Sequence, residues 1–273
     1  MSVELLVTCD DCGLSEGINQ AVHDLYIKHH VTVASVMTNF PAAQHAFELF
    51  QQLRGLEIGV HLNLSDGFPL TELPTSSELI RSDGHFRDRL LLYAQSFFPS
   101  STLRASIRNE LIAQIEVCRR AGFEPAHLTT HTHFHVIPAL REIVFELADT
   151  YNVNWVRAIR YRATILPFNP ILTPDPLPDA PASYGVPDYT IPIKYWLETP
   201  PEQLLQTLSE VTGRVEMVVH PSYTPDPTFP SEVRYLPEER HREQRYLEQV
   251  MTALKAQPDL PIQLVNGHNS ATA

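Results

Sequence analysis

Val7-Thr8-Cys9-Asp10-Asp11-Cys12-Gly13-Leu14-Ser15 is an apolar strand that runs straight into two adjacent carboxylates and then a serine suited to cap a helix. Neighbouring side chains on a strand point to opposite faces, so the two acids are expected to divide their work, one binding a metal and the other handling a proton. The same strand-then-helix unit recurs downstream. Leu5 to Thr8 reads as a strand and Glu16 to His29 as a helix with Ile18, Val22 and Leu25 on one face. Val31 to Met37 is short and β-branched, hence a strand; Pro41 to Leu53 is a helix opened by its proline, and Glu57 to Leu64 a third strand. Leu103, Ile107, Leu111, Ile115 and Cys118 keep helical spacing up to a stop at Gly122. A histidine-rich strand (His127 to His135), a helix (Pro138 to Tyr151) and a strand (Asn154 to Ile159) follow. After a break the rhythm resumes with a helix over Pro201 to Val211, a strand over Val215 to His220, a helix over Pro237 to Ala256 and a strand over Pro261 to Asn266. Repeated βα units predict an α/β fold with a parallel sheet, open or closed into a barrel.

Two segments interrupt this pattern. Residues 65–100 are turn-rich, with Asp66-Gly67 and Asp83-Gly84 as turn pairs. Residues 161–201 are crowded with proline, which rules out continuous helix or central strand and suggests a loop or lid over a functional site. No repeat or linker divides the chain, so residues 1–273 are expected to form a single domain.

Composition narrows the function. A net charge of −12 without a basic block argues against nucleic acid, whose phosphates need clustered Lys and Arg. No apolar run approaches the roughly 20 residues that span a bilayer, and the first residues lack a basic leader; a cytoplasmic protein without a membrane partner is expected. Three cysteines, an odd number, provide no disulfide framework. Cys9-Asp10-Asp11-Cys12 has redox-motif spacing, but two carboxylates between the thiols would blunt their reactivity, so small buried side chains are the better reading. Cys118, on an apolar helix face, reads as core.

Asp10, Asp11, His61, the histidine cluster and His220 all fall at the C-terminal ends of expected strands, the rim that carries the active site in α/β barrels. An Asp with two His forms a ligand set that leaves positions open for water and substrate. Taken singly, each residue has a plainer explanation: paired acids also occur in solvated turns, and a lone His is often only hydrogen-bonded. His131, His133 and His135 alternate, however, and on a strand would face one side together, which suits a polar site better than core packing.

Several blocks in order along the chain are similar to a known family. Asp10-Asp11-Cys12-Gly13-Leu14-Ser15-Glu16-Gly17-Ile18-Asn19, Gly59-Val60-His61-Leu62-Asn63-Leu64, Ser82-Asp83-Gly84-His85-Phe86, His127 through His135, and Val219-His220-Pro221 together resemble the YdjC-like carbohydrate deacetylases. The resemblance implies an irregular, TIM-like (β/α) barrel, and Asp11, His61 and His131 as ligands of one divalent ion, magnesium or zinc. It further implies Asp10 as the base for the attacking water and His220 as the acid for the departing amine. The reaction implied is removal of the acetyl group from an N-acetylated sugar or oligosaccharide, a small-molecule substrate, often by a homodimer. His133 and His135 are candidates for lining the sugar pocket. Thr129 stands where the family carries Asp, and Cys12 where it carries a large apolar residue. A carboxylate at position 129 would orient a ligand imidazole; threonine can accept a hydrogen bond there without a charge. Two alternatives remain: a metal phosphoesterase or amidohydrolase acting on another substrate, and a non-catalytic sugar-binding protein on the same scaffold.

Overall fold

The computed structural model describes residues 2–157, 185 and 187–266. Their elements run β1 (Val3–Cys12), α1 (Glu16–Ile27), β2 (Val33–Val36), α2 (Ala43–Phe50), β3 (Glu57–Leu62), α3 (Arg89–Ser96), α4 (Ser101–Arg120), β4 (His127–Thr130), α5 (Pro138–Thr150), β5 (Trp155–Val156), β6 (Tyr189–Pro192), α6 (Pro201–Ser209), β7 (Gly213–Val219), α7 (Pro237–Lys255) and β8 (Ile262–Leu264). All strand pairings are parallel, in the order β5-β4-β3-β2-β1-β7-β6, and β8 adds to the start of β1. Helices cover the sheet, so β2, β3 and β4 are buried along their whole length, as expected for parallel strands packed on both faces. The sheet curls, and its two ends approach through a parallel bridge between Trp155 of β5 and Gly185, shortly upstream of β6. The result is the irregular, TIM-like βα barrel shape that the family resemblance implies, built on the parallel sheet expected from the alternation of elements. Among the described residues no helix is long and apolar enough to cross a membrane.

The local signals act as anticipated in α1 and α4. Ser15 Oγ accepts from Ile18 N at 3.3 Å, and Ser100 Oγ accepts from Leu103 N at 3.0 Å. Leu103, Ile107, Leu111, Ile115 and Cys118 form the buried stripe of α4.

Three expectations need correction. The stretch 65–100 contains α3, whose start is held by Asp88 accepting from Leu90 N and Leu91 N. Its Leu90 and Leu91 are 73% and 46% exposed, so no apolar stripe marks the helix in the sequence. The histidine strand stops at Thr130; Thr132 and His133 take left-handed backbone angles (φ 54° and 57°) in a tight turn, so His131, His133 and His135 do not line one strand face. Side-chain bonds close this turn, Thr130 to His135 Nδ1 and Thr132 Oγ1 to the His131 carbonyl at 2.7 Å. The third concerns the proline-rich segment, which contributes β6. Among the described residues that strand pairs only with β7, and it ends at Pro192, as befits the edge of a sheet, so the exclusion of a central strand stands and only the reading as wholly irregular is revised. Residues 158–184 and 186 lie outside the described residues, and with them the end of the expected strand to Ile159 and the lid reading.

The two acids also depart from simple alternation. The β1–β2 register shifts between Cys9 and Cys12, and Asp11 has φ 62°, so both carboxylates line one cavity. Gly13 completes this bend at φ +87°, and a Cβ there would lie 2.6 Å from the Met37 carbonyl. Gly13→Ala is therefore expected to destabilise the protein by about 1–3 kcal/mol, read as a lower urea midpoint at unchanged slope.

Candidate functional site

A cavity of about 580 Å³ opens at the C-terminal rim of the sheet, and Asp10, Asp11, His61, His131, His133 and His220 all contribute to its wall. Asp10 and Asp11 come from the end of β1 and His61 from β3; His131 follows β4 directly and His220 follows β7 directly. The parallel strands deliver these side chains to one place because every strand ends on the same rim.

Asp11, His61 and His131 each offer one ligand atom, and these atoms lie within 4.8 Å of one another. His61 Nε2 and His131 Nδ1 are 3.2 and 2.9 Å from Asp11 Oδ1. The outer contacts hold each group in place. Asp11 Oδ2 accepts from Arg240 Nη2 at 2.8 Å, His131 Nε2 faces Asp66 Oδ2 at 2.9 Å, and His61 Nδ1 meets Thr129 Oγ1 at 2.7 Å. Burial works against charge on His131, but Asp11 and Asp66 outweigh it and raise its pKa to about 10. Burial likewise opposes ionisation of Asp11, yet His131 and Arg240 hold its carboxyl well below the usual range. Two imidazoles and a carboxylate, pre-oriented by further bonds and open on the cavity side, suit an open divalent-ion site.

Asp10 sits beside this cluster in a different environment. Arg157 grips it from Nη1 and Nη2 at 2.6 and 2.9 Å, and the same guanidinium reaches Glu216 at 2.7 and 3.0 Å. All three side chains are buried. Burial disfavours the Asp10 charge, but Arg157, with help from His61, keeps the carboxyl ionised well below its ordinary pKa. His220 Nε2 lies 3.9 Å from Asp10 Oδ2, while its Nδ1 and backbone N–H face Glu243 Oε2 at 3.2 and 2.7 Å. Tyr235 donates to the other Glu243 oxygen.

His133 lines the cavity, whereas His135 is buried behind it, bonded to the Thr130 hydroxyl, and does not reach the wall. Cys9 and Cys12 are buried free thiols; burial first, then the neighbouring charges, pushes both well above the ordinary thiol range, as a packing role requires. The sequence did not mark Arg157, Glu216, Arg240 or Glu243, and Asp66 stood out only as part of a turn. Arg157 follows Val156 at the end of β5, so the strand-end rule could have found it. Arg240 and Glu243 belong to a charged helix with no local sign of burial.

The profile of the YdjC-like protein family matches residues 4–255. A carbohydrate deacetylase of Halalkalibacterium halodurans is 31% identical over 224 residues, 81% of this chain and 86% of its own length. Another, from Geobacillus stearothermophilus, is 33% identical over 173 residues, 62% of this chain and 66% of its own. Among solved structures, a candidate cellobiose-phosphate cleavage protein of Enterococcus faecalis V583 covers 100% of both chains with a TM-score of 0.79 at 23% identity, a likeness of fold.

Proposed function

The chain belongs to the YdjC-like family, and on that premise we propose that it is a metal-dependent carbohydrate N-deacetylase, a hydrolase that cleaves the acetamido bond of an N-acetylated sugar or oligosaccharide. The observation that carries this reading is the convergence of Asp11, His61 and His131 within 4.8 Å, in the same cavity as Asp10 and His220. A divalent ion held by these three residues, zinc or magnesium, would polarise the acetyl carbonyl and make water acidic enough to attack it. Imidazole ligands suit zinc; carboxylate and open positions also suit magnesium.

The remaining steps belong to the protein. Asp10 takes the proton of the attacking water. Arg157 keeps it ionised, and so able to accept a proton, and fixes its orientation. His220 delivers a proton to the sugar nitrogen as the C–N bond breaks, leaving acetate and a free amine. Glu243 accepts from His220 Nδ1 and so turns Nε2 toward Asp10 and the cavity. His133 contributes to the sugar pocket, and His135 supports the turn that presents it.

Acetate release from N-acetylglucosamine oligomers tests the proposal. Release is expected to stop on adding a chelator and to return with Zn²⁺ or Mg²⁺. Full metal occupancy without turnover on any N-acetylated sugar would point to a binding protein, and phosphate release from a sugar phosphate, with no acetate released from the oligomers, to a phosphoesterase.

A further inference from the structure

We propose that Ser35 and His127 are positioning residues that set the tautomer of His61 through Thr129. This inference rests on the reading of His61 as a metal ligand. Ser35 lies on β2, His61 on β3, and His127 and Thr129 on β4. Thr129 pairs directly with His61, and its Oγ1 meets His61 Nδ1 at 2.7 Å. Thr129 donates its own proton to Ser35 Oγ at 3.0 Å. Ser35 Oγ in turn meets His127 Nε2 at 2.8 Å. All four side chains are buried, so water does not compete for these bonds.

The path crosses β3, which normally separates side chains of β2 and β4 by about 9.5 Å, twice the strand spacing. Gly59 is the reason it can. It pairs with Ser35 and lies one residue before the Val60–Leu128 pair, beside His127. A Cβ at Gly59 would lie 2.5 Å from His127 ring atoms, so the imidazole occupies the space that a side chain there would fill. The other face of the His127 ring stacks on Trp155 with centroids 4.5 Å apart. Its Nδ1 faces Glu57 Oε1 at 3.4 Å, and that carboxylate oxygen also accepts from the Trp155 indole. The His127 ring is thus held in a built slot.

Direction follows from the chemistry of each group. The Glu57 carboxylate facing His127 Nδ1 favours the proton there, so His127 Nε2 accepts from Ser35, Ser35 from Thr129 and Thr129 from His61. The relay thus favours the His61 proton on Nδ1 and frees the Nε2 lone pair for an ion beside Asp11, the form a metal ligand needs, against the pull of Asp11 Oδ1 3.2 Å from Nε2 when no ion is bound. Ser35, having accepted from Thr129, is free to donate to His127 Nε2, and every donor in the series points away from the cavity. Thr129 alone would not enforce this: a hydroxyl with no other acceptor can turn and donate to His61 Nδ1, which moves the ring proton to Nε2 and blocks the ligand position. Ser35 and His127 remove that option, doing by relay what a carboxylate at position 129 would do directly.

The test uses the full chain. Ring ¹⁵N shifts of His61 in metal-free protein, from long-range ¹H–¹⁵N correlation spectra, are expected to report a larger share of the Nδ1–H tautomer in the wild type than in Ser35→Ala. Ser35→Ala is expected to populate the Nε2–H form and to weaken Zn²⁺ binding by about tenfold or more. Adding Thr129→Asp to Ser35→Ala is expected to restore the Nδ1–H tautomer, since a carboxylate can only accept. An unchanged tautomer in Ser35→Ala overturns the proposal, as does a double variant that folds without recovering it, because packing alone would then explain the loss. Should the double variant not fold, the single variant decides. A wild type that binds no Zn²⁺ would remove the metal reading instead, and the tautomer ratio would still judge the relay.

Discussion

Arg157→Leu is expected to destabilise the protein by about 3–5 kcal/mol, the largest effect of any single change considered. Arg157 is fully buried between Asp10 and Glu216, both also buried, and donates to each. Removing it leaves two buried carboxylates with their principal cation gone, and the cost of such a change comes mainly from the charges left behind. Chemical denaturation checks the size of the loss. The cause is checked by adding Asp10→Asn and Glu216→Gln: neutral amides at both positions are expected to recover much of the stability, because no unpaired charge then remains buried. A triple variant as unstable as Arg157→Leu would instead locate the loss in the packing of the arginine stem.

The second large effect concerns turnover. Asp10→Asn is expected to lower acetate release by about 100- to 10,000-fold while leaving the metal content unchanged. The amide keeps the shape of the side chain but cannot take a proton from water, and Arg157 keeps Glu216 as a partner. His61→Ala and His131→Ala are expected to lose the metal and the activity together. Metal content by elemental analysis, set beside acetate release, separates the two patterns. If Asp10→Asn emptied the site of metal, the division of labour between the adjacent acids would be wrong.

These contrasts show how far local sequence reaches. The apolar runs and their capping residues made the βα order legible, because burial of a strand and the start of a helix are encoded within a few residues. The strand-end rule then collected Asp10, Asp11, His61, His131 and His220 without any knowledge of contacts. It failed after Thr130, where Thr132 and His133 adopt left-handed angles that an alternating pattern does not disclose. Nor did it reveal that Asp11 bends back beside Asp10, since this depends on a register shift against β2 and on the space left by Gly13.

The chain alone determined the parallel βα architecture and which acids and imidazoles gather at its rim, because periodicity and strand ends are local properties. Tertiary structure alone decided what each of them is bonded to. Arg157 meets Asp10 across 147 residues and Arg240 meets Asp11 across 229. Which buried charge finds which partner depends on how distant strands and helices pack, and that packing leaves no mark on the sequence near either residue.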